Sequence, residues 1–101
     1  MSRVGRRECY VLDLKGGELD LFVKEIKSFI AKENFPDGYT VDVYKDQAVC
    51  CGVFPLGIAV EIEGLKEQTI KALDVKLYSK IMEVCEREGF ENHQCEPLKV
   101  L

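Results

Sequence analysis

The chain contains no tryptophan and one histidine, His93. Any mechanism that needs an imidazole base must be built at that single position. His93 lies in a polar stretch, and nothing local pairs it with a thiol nucleophile and an orienting third group. Long apolar runs are also missing. The longest stretch without a charge is the fourteen-residue Gln47–Val60, which contains Ala48–Val60, AVCCGVFPLGIAV. A membrane-crossing helix needs about 20 apolar residues, so no helical span and no membrane partner are expected. The start, MSRVGRRECYVLDL, is basic but is not followed by an apolar segment of signal-peptide length.

Arginine is scarce. Of four, Arg3, Arg6 and Arg7 precede the first predicted strand, and Arg87 stands alone among Glu83, Glu86, Glu88, Glu91 and Glu96. With a formal net charge of −4, the folded part offers no basic stripe to track a phosphate backbone. Lys66, Lys71 and Lys76 are dispersed among Glu67 and Asp74 and form no cluster. Nucleic acid is therefore excluded as a partner through a basic face, and residues 1–7 read as a mobile basic arm.

The five cysteines show no C-x-x-C spacing, and their number is odd. A disulfide framework would leave one thiol over. Together with the missing signal, this predicts a cytoplasmic protein with free thiols. His93, Cys95 and Cys85 are too scattered to form a zinc knuckle, so neither a metal nor a cofactor is expected. Cys50 and Cys51 are adjacent, and neighbours on a strand point to opposite faces. They read as small core residues, not as convergent ligands or a redox pair. Glu61 and Glu63 share one strand face as ordinary wet-side residues. Gly16-Gly17 has neither a phosphate-loop nor a dinucleotide pattern around it and reads as a turn. No residue qualifies as catalytic.

The chain does carry clear periodicity. Glu8–Leu14 alternates as a strand, with Cys9 and Val11 on one face and Tyr10 on the other. In Glu18–Glu33, Leu19, Phe22, Val23, Ile26, Phe29 and Ile30 form one apolar helical stripe. Pro36-Asp37-Gly38 is turn chemistry. Tyr39–Lys45 and Ile58–Glu63 alternate as half-buried strands, and Ala48–Phe54 reads as a third strand, apolar on both faces. A second helix is predicted over Val75–Glu88, with Asp74 as N-cap and Gly89 as stop. Leu65–Ala72 fits either a helical turn or a loop, and Pro97–Leu101 fits an edge strand.

These elements define a single small α+β domain, residues 1–101, with two helices on a mostly antiparallel sheet. The expected order is β-α-β-β-β-α, with a final β from the tail. If Ala48–Val60 is one bent strand, the order becomes the ferredoxin-like β-α-β-β-α-β. With both helices on one sheet face, the other face would expose apolar groups and mark a partner site. The expectation is a non-enzymatic, acidic protein-interaction module: a regulator, adaptor or inhibitor that binds a protein partner or itself as a homodimer. Cys50, Phe54, Leu56 and Ile58 are its candidate interface residues. The alternative is a small-ligand sensor or thiol-dependent enzyme that uses a cysteine of the 48–60 stretch.

Overall fold

A computed structural model describes residues 2–11, 16–47, 56–90 and 93–101. The chain runs β1 (Arg3–Val11), α1 (Gly16–Lys32), β2 (Thr40–Gln47), β3 (Leu56–Gly64), α2 (Glu67–Glu88), β4 (Gln94–Cys95) and β5 (Lys99–Val100). The sheet order is β2-β3-β1-β4, with β5 also on β1, and every pairing is antiparallel. This is the expected two-layer α+β architecture, and of the two orders considered the ferredoxin-like one is adopted. The stretch Ala48–Phe54 lies outside the described residues. The middle position proposed for it is closed, because β2 and β3 pair directly from Thr40↔Glu63 to Gln47↔Leu56.

Alternation on the strands selects one face for the helices. Cys9 and Val11 of β1, Val43 of β2, and Ile58, Val60 and Ile62 of β3 join one buried cluster. Leu19, Phe22, Val23 and Ile26 of α1, with Ile70, Leu73, Leu77, Ile81 and Val84 of α2, complete it. Two glycines permit this contact. A Cβ on Gly5 would stand 2.5 Å from Ile70, and one on Gly64 would stand 1.9 Å from the Tyr39 ring. Tyr39 packs in that vacancy, and its hydroxyl accepts the backbone N–H of Lys66 at 3.0 Å. One N–H at the N-terminus of α2 is thereby satisfied, where Lys66 supplies no capping side chain. At the other end Gly89 takes the left-handed conformation (φ 68°), as expected of a helix stop.

Four expectations are corrected. Gly16-Gly17 is not a turn but the first two residues of α1. The basic segment 1–7 is not a free arm: from Arg3 onward it is the first half of β1, paired with β3 from Arg3↔Gly64. Helix α2 starts at Glu67, so Asp74 is an interior residue, 2% exposed, and not an N-cap. Cys9 and Cys95 are not free thiols but are joined as a disulfide. Counting cysteines could not reveal that β1 and β4 place these two directly opposite each other. Glu8 accepts the N–H of Glu96, so the adjoining Cys9↔Cys95 pair is a non-hydrogen-bonded one, where side chains approach most closely. Beyond it the register slips by one residue across Pro97, and the tail resumes as β5.

The disulfide closes a sequence separation of 86 residues. Such a link restricts the unfolded chain and is worth about 2–4 kcal/mol. Urea unfolding of the oxidised and reduced protein should therefore differ by that amount, with the reduced form weaker. Coincident curves would contradict a structural role for the bond.

Candidate functional site

Strand β1 places consecutive arginines on opposite faces of the sheet. Arg7 points toward the helices. Its Nε donates to Asp74 Oδ1 and Oδ2 at 3.0 and 3.1 Å, and its Nη2 donates to Oδ2 at 2.7 Å. Its Nη1 donates to the Glu96 carbonyl at 2.8 Å, and the guanidinium lies 4.5 Å from the centre of the Tyr78 ring. One side chain thus ties β1 to α2 and to the C-terminal tail. Its hydrogen bonds to Asp74 raise its pKa, so the charge is permanent. The Asp74 side chain is 3% exposed. A carboxylate at that depth is tolerated only because the fork of the guanidinium meets both oxygens.

Arg6 points to the opposite, helix-free face. It pairs with Glu8 on its own strand, with Glu61 of β3 at 2.9 Å and with Asp46 of β2 at 3.1 Å. The Tyr44 hydroxyl accepts from Arg6 and donates to Glu61 at 2.7 Å. Partial burial, and then this bond to Glu61, raise the Tyr44 pKa, so the phenol remains protonated at neutral pH. Thr40, Asp42 and Glu63 extend the same face, with Lys99 of β5 beside Arg6. The expectation of an apolar open face is therefore corrected among the described residues: the face is a charged, acidic surface organised on one arginine. No buried side-chain nitrogen or oxygen among the described residues lacks a partner.

Of the four predicted interface residues, Leu56 and Ile58 fall among the described ones. Ile58 is 2% exposed beneath the helices and is unavailable to a partner. Leu56 is half-buried at the start of β3. Cys50 and Phe54 lie outside the described residues. Cys85 is buried in the core, and burial pushes its thiol up to about 11, so it is no nucleophile at neutral pH. A shallow cleft of about 200 Å³ separates the ends of α1 and α2. Phe22 and Phe90 stack in it, and Arg87 at its rim is already engaged by Glu25 at 2.6 Å.

What the sheet leaves open is an edge. Hydrogen bonds from Glu96 N–H to the Glu8 carbonyl and from Leu101 N–H to the Val4 carbonyl turn the even-numbered residues of β1 toward the tail. In an antiparallel ladder the direction alternates residue by residue. Hence Arg7 and Cys9 bond to Val60 and Ile58, while Ala59 and Glu61 bond across to Tyr44 and Asp42. The backbone groups of Val41, Val43, Lys45 and Gln47 then point away from the sheet. No described strand lies beyond β2.

No protein-family model matches this chain, and no curated protein matches it in sequence. Solved structures do share its fold. The "De novo designed protein Foldit4" has a TM-score of 0.58 at 16% identity, covering 100% of this chain and 97% of that one. A "putative aminohydrolase" from methicillin-resistant Staphylococcus aureus has a TM-score of 0.57 at 12% identity; the match covers 98% of this chain but only 28% of that protein. A "dimeric ferredoxin-like protein of unknown function" from Thermobifida fusca has a TM-score of 0.53 at 12% identity, covering 97% and 92%. These likenesses define the class as a ferredoxin-like α+β domain, and nothing narrower.

Asp74→Ala would leave the Arg7 charge without its partner in a mostly buried position. Loss of one member of such a pair costs about 3–5 kcal/mol. Thermal or urea unfolding should show a loss of that size; a change below about 1 kcal/mol, the range of exposed ion pairs, would show the pair to be screened by solvent.

Proposed function

We propose that this protein is a non-enzymatic protein-interaction module that associates with a second copy of itself, acting as a small acidic regulator, adaptor or inhibitor. The observation that carries this reading is the eight-residue β2, which no described strand covers on its outer side. A long, unprotected strand edge is a template for another chain. The opposite edge is shielded differently, by two-residue strands with Pro97 between them. One sheet face is filled by helices. Among the described residues, the other satisfies its polar groups through Arg6 and is lined mainly by charged side chains. That a fold neighbour of similar length is described as dimeric agrees with this reading.

The thiol-enzyme alternative uses Cys50 or Cys51, which lie outside the described residues; the cysteines that are described do not support it. Cys85 is buried and protonated, and Cys9 and Cys95 are consumed in a disulfide. That disulfide also weighs for an oxidising compartment and against the cytoplasm.

Light scattering at high micromolar concentration should give twice the chain mass of 11.5 kDa. A species of 11.5 kDa at every concentration would contradict self-association.

A further inference from the structure

We infer that β2 pairs antiparallel with β2 of a second copy, in the single register that sets Val43 opposite Val43. This inference rests on the self-association proposed above and specifies how it is made. The outward backbone groups belong to Val41, Val43, Lys45 and Gln47, so only registers that oppose these residues to one another form hydrogen bonds. Setting Val43 on the two-fold axis opposes Val41 to Lys45 on each side and engages Val41, Val43 and Lys45 of both chains, with Gln47 beyond the overlap.

Charge removes the registers centred on Asp42, Tyr44 and Lys45, and an axis at Val41 would overlap only Thr40–Asp42 of the two strands, with Val43 opposite Tyr39 outside β2. A two-fold axis at Asp42 would face Asp42 with Asp42, and an axis at Tyr44 would face Asp42 with Asp46 twice. Like charges directly opposite on a sheet are destabilising. An axis at Lys45 would face lysine with lysine. The Val43 register instead opposes Asp42 to Tyr44 and Thr40 to Asp46, with no like pair. On the helix side, the half-buried Val41 would lie under the partner's Lys45, whose methylene stem can cover it while the ammonium stays in water. The second copy is favoured over an unrelated strand because β2 supplies both halves of this pattern. The joined sheet would carry two Arg6 clusters on one continuous face.

The test uses the whole chain. Lys45→Pro removes an N–H that the β2–β3 ladder does not use, so the domain should still fold, as checked by circular dichroism. Two inter-chain hydrogen bonds are lost per dimer, which should weaken association roughly ten- to hundredfold. Lys45→Ala removes the exposed ion pair with Asp20 but keeps the N–H, and it should remain dimeric. If the wild-type chain dimerises and folded Lys45→Pro dimerises equally well, the edge inference is overturned while self-association stands. A monomeric wild type overturns both. The register is read on the wild-type chain from a mixed-label sample by isotope-filtered NMR. An inter-chain contact between the α protons of Asp42 and Tyr44 is expected, because opposed α protons of a non-hydrogen-bonded pair are close. An inter-chain Asp42–Asp42 or Tyr44–Tyr44 contact in its place would overturn the register.

Discussion

The buried pair between Arg7 and Asp74 is the constraint on which the rest of the structure depends. It joins the strand at the centre of the sheet to the longer helix, and through the Glu96 carbonyl it also reaches the tail. An interior carboxylate is costly, and its cost is offset only when both oxygens meet a matched donor fork. That requirement fixes the rotation of α2 over β1: Asp74 must face Arg7, which brings Ile70, Leu77 and Ile81 onto the apolar side chains of the sheet. Gly5 lies beneath Ile70 and lets the two elements approach. The Cys9–Cys95 bond, two residues along β1, holds the tail whose carbonyl completes the arginine's partners.

The same alternation settles the other face. If Arg7 points to the helices, Arg6 must point away, and it gathers Glu8, Asp46, Glu61 and Tyr44 around itself. One charge among several carboxylates gives a surface that is acidic but internally satisfied. Such a surface suits electrostatic selection of partners better than tight apolar docking. With helices beneath and this network above, unsatisfied recognition capacity shifts to the backbone at the β2 edge. The functional reading therefore rests on main-chain hydrogen bonding, with side-chain charge choosing the register.

Much of this was legible in the sequence. Periodicity located α1, β2 and β3 and placed Cys9 and Val11 on one face, because those segments are amphipathic with a clean period. Three arginines in residues 1–7 suggest a free arm, whereas Gly5, Arg7, Cys9 and Val11 continue one strand alternation. Aspartate favours the N-cap position, which suggests a cap at Asp74. The contrary signal was present: Asp74 stands four residues after Ile70 and three before Leu77, on the apolar stripe itself. A carboxylate on such a stripe implies a buried cationic partner. The apolar sheet face was inferred from Ala48–Phe54, which lies outside the described residues. The strand that does neighbour β3 there, β2, carries Asp42, Tyr44 and Asp46 on that face. The disulfide was illegible, since strand order alone brings Cys9 and Cys95 together.

Amide hydrogen exchange along β2, followed as a function of protein concentration, tests the central claim most directly. The amides of Asp42 and Tyr44 bond to β3 and should be protected at every concentration. Those of Val41, Val43 and Lys45 should exchange rapidly in dilute solution and become protected as the protein is concentrated. Rapid exchange of these three at all concentrations would contradict pairing through this edge, and so would protection that does not change on dilution.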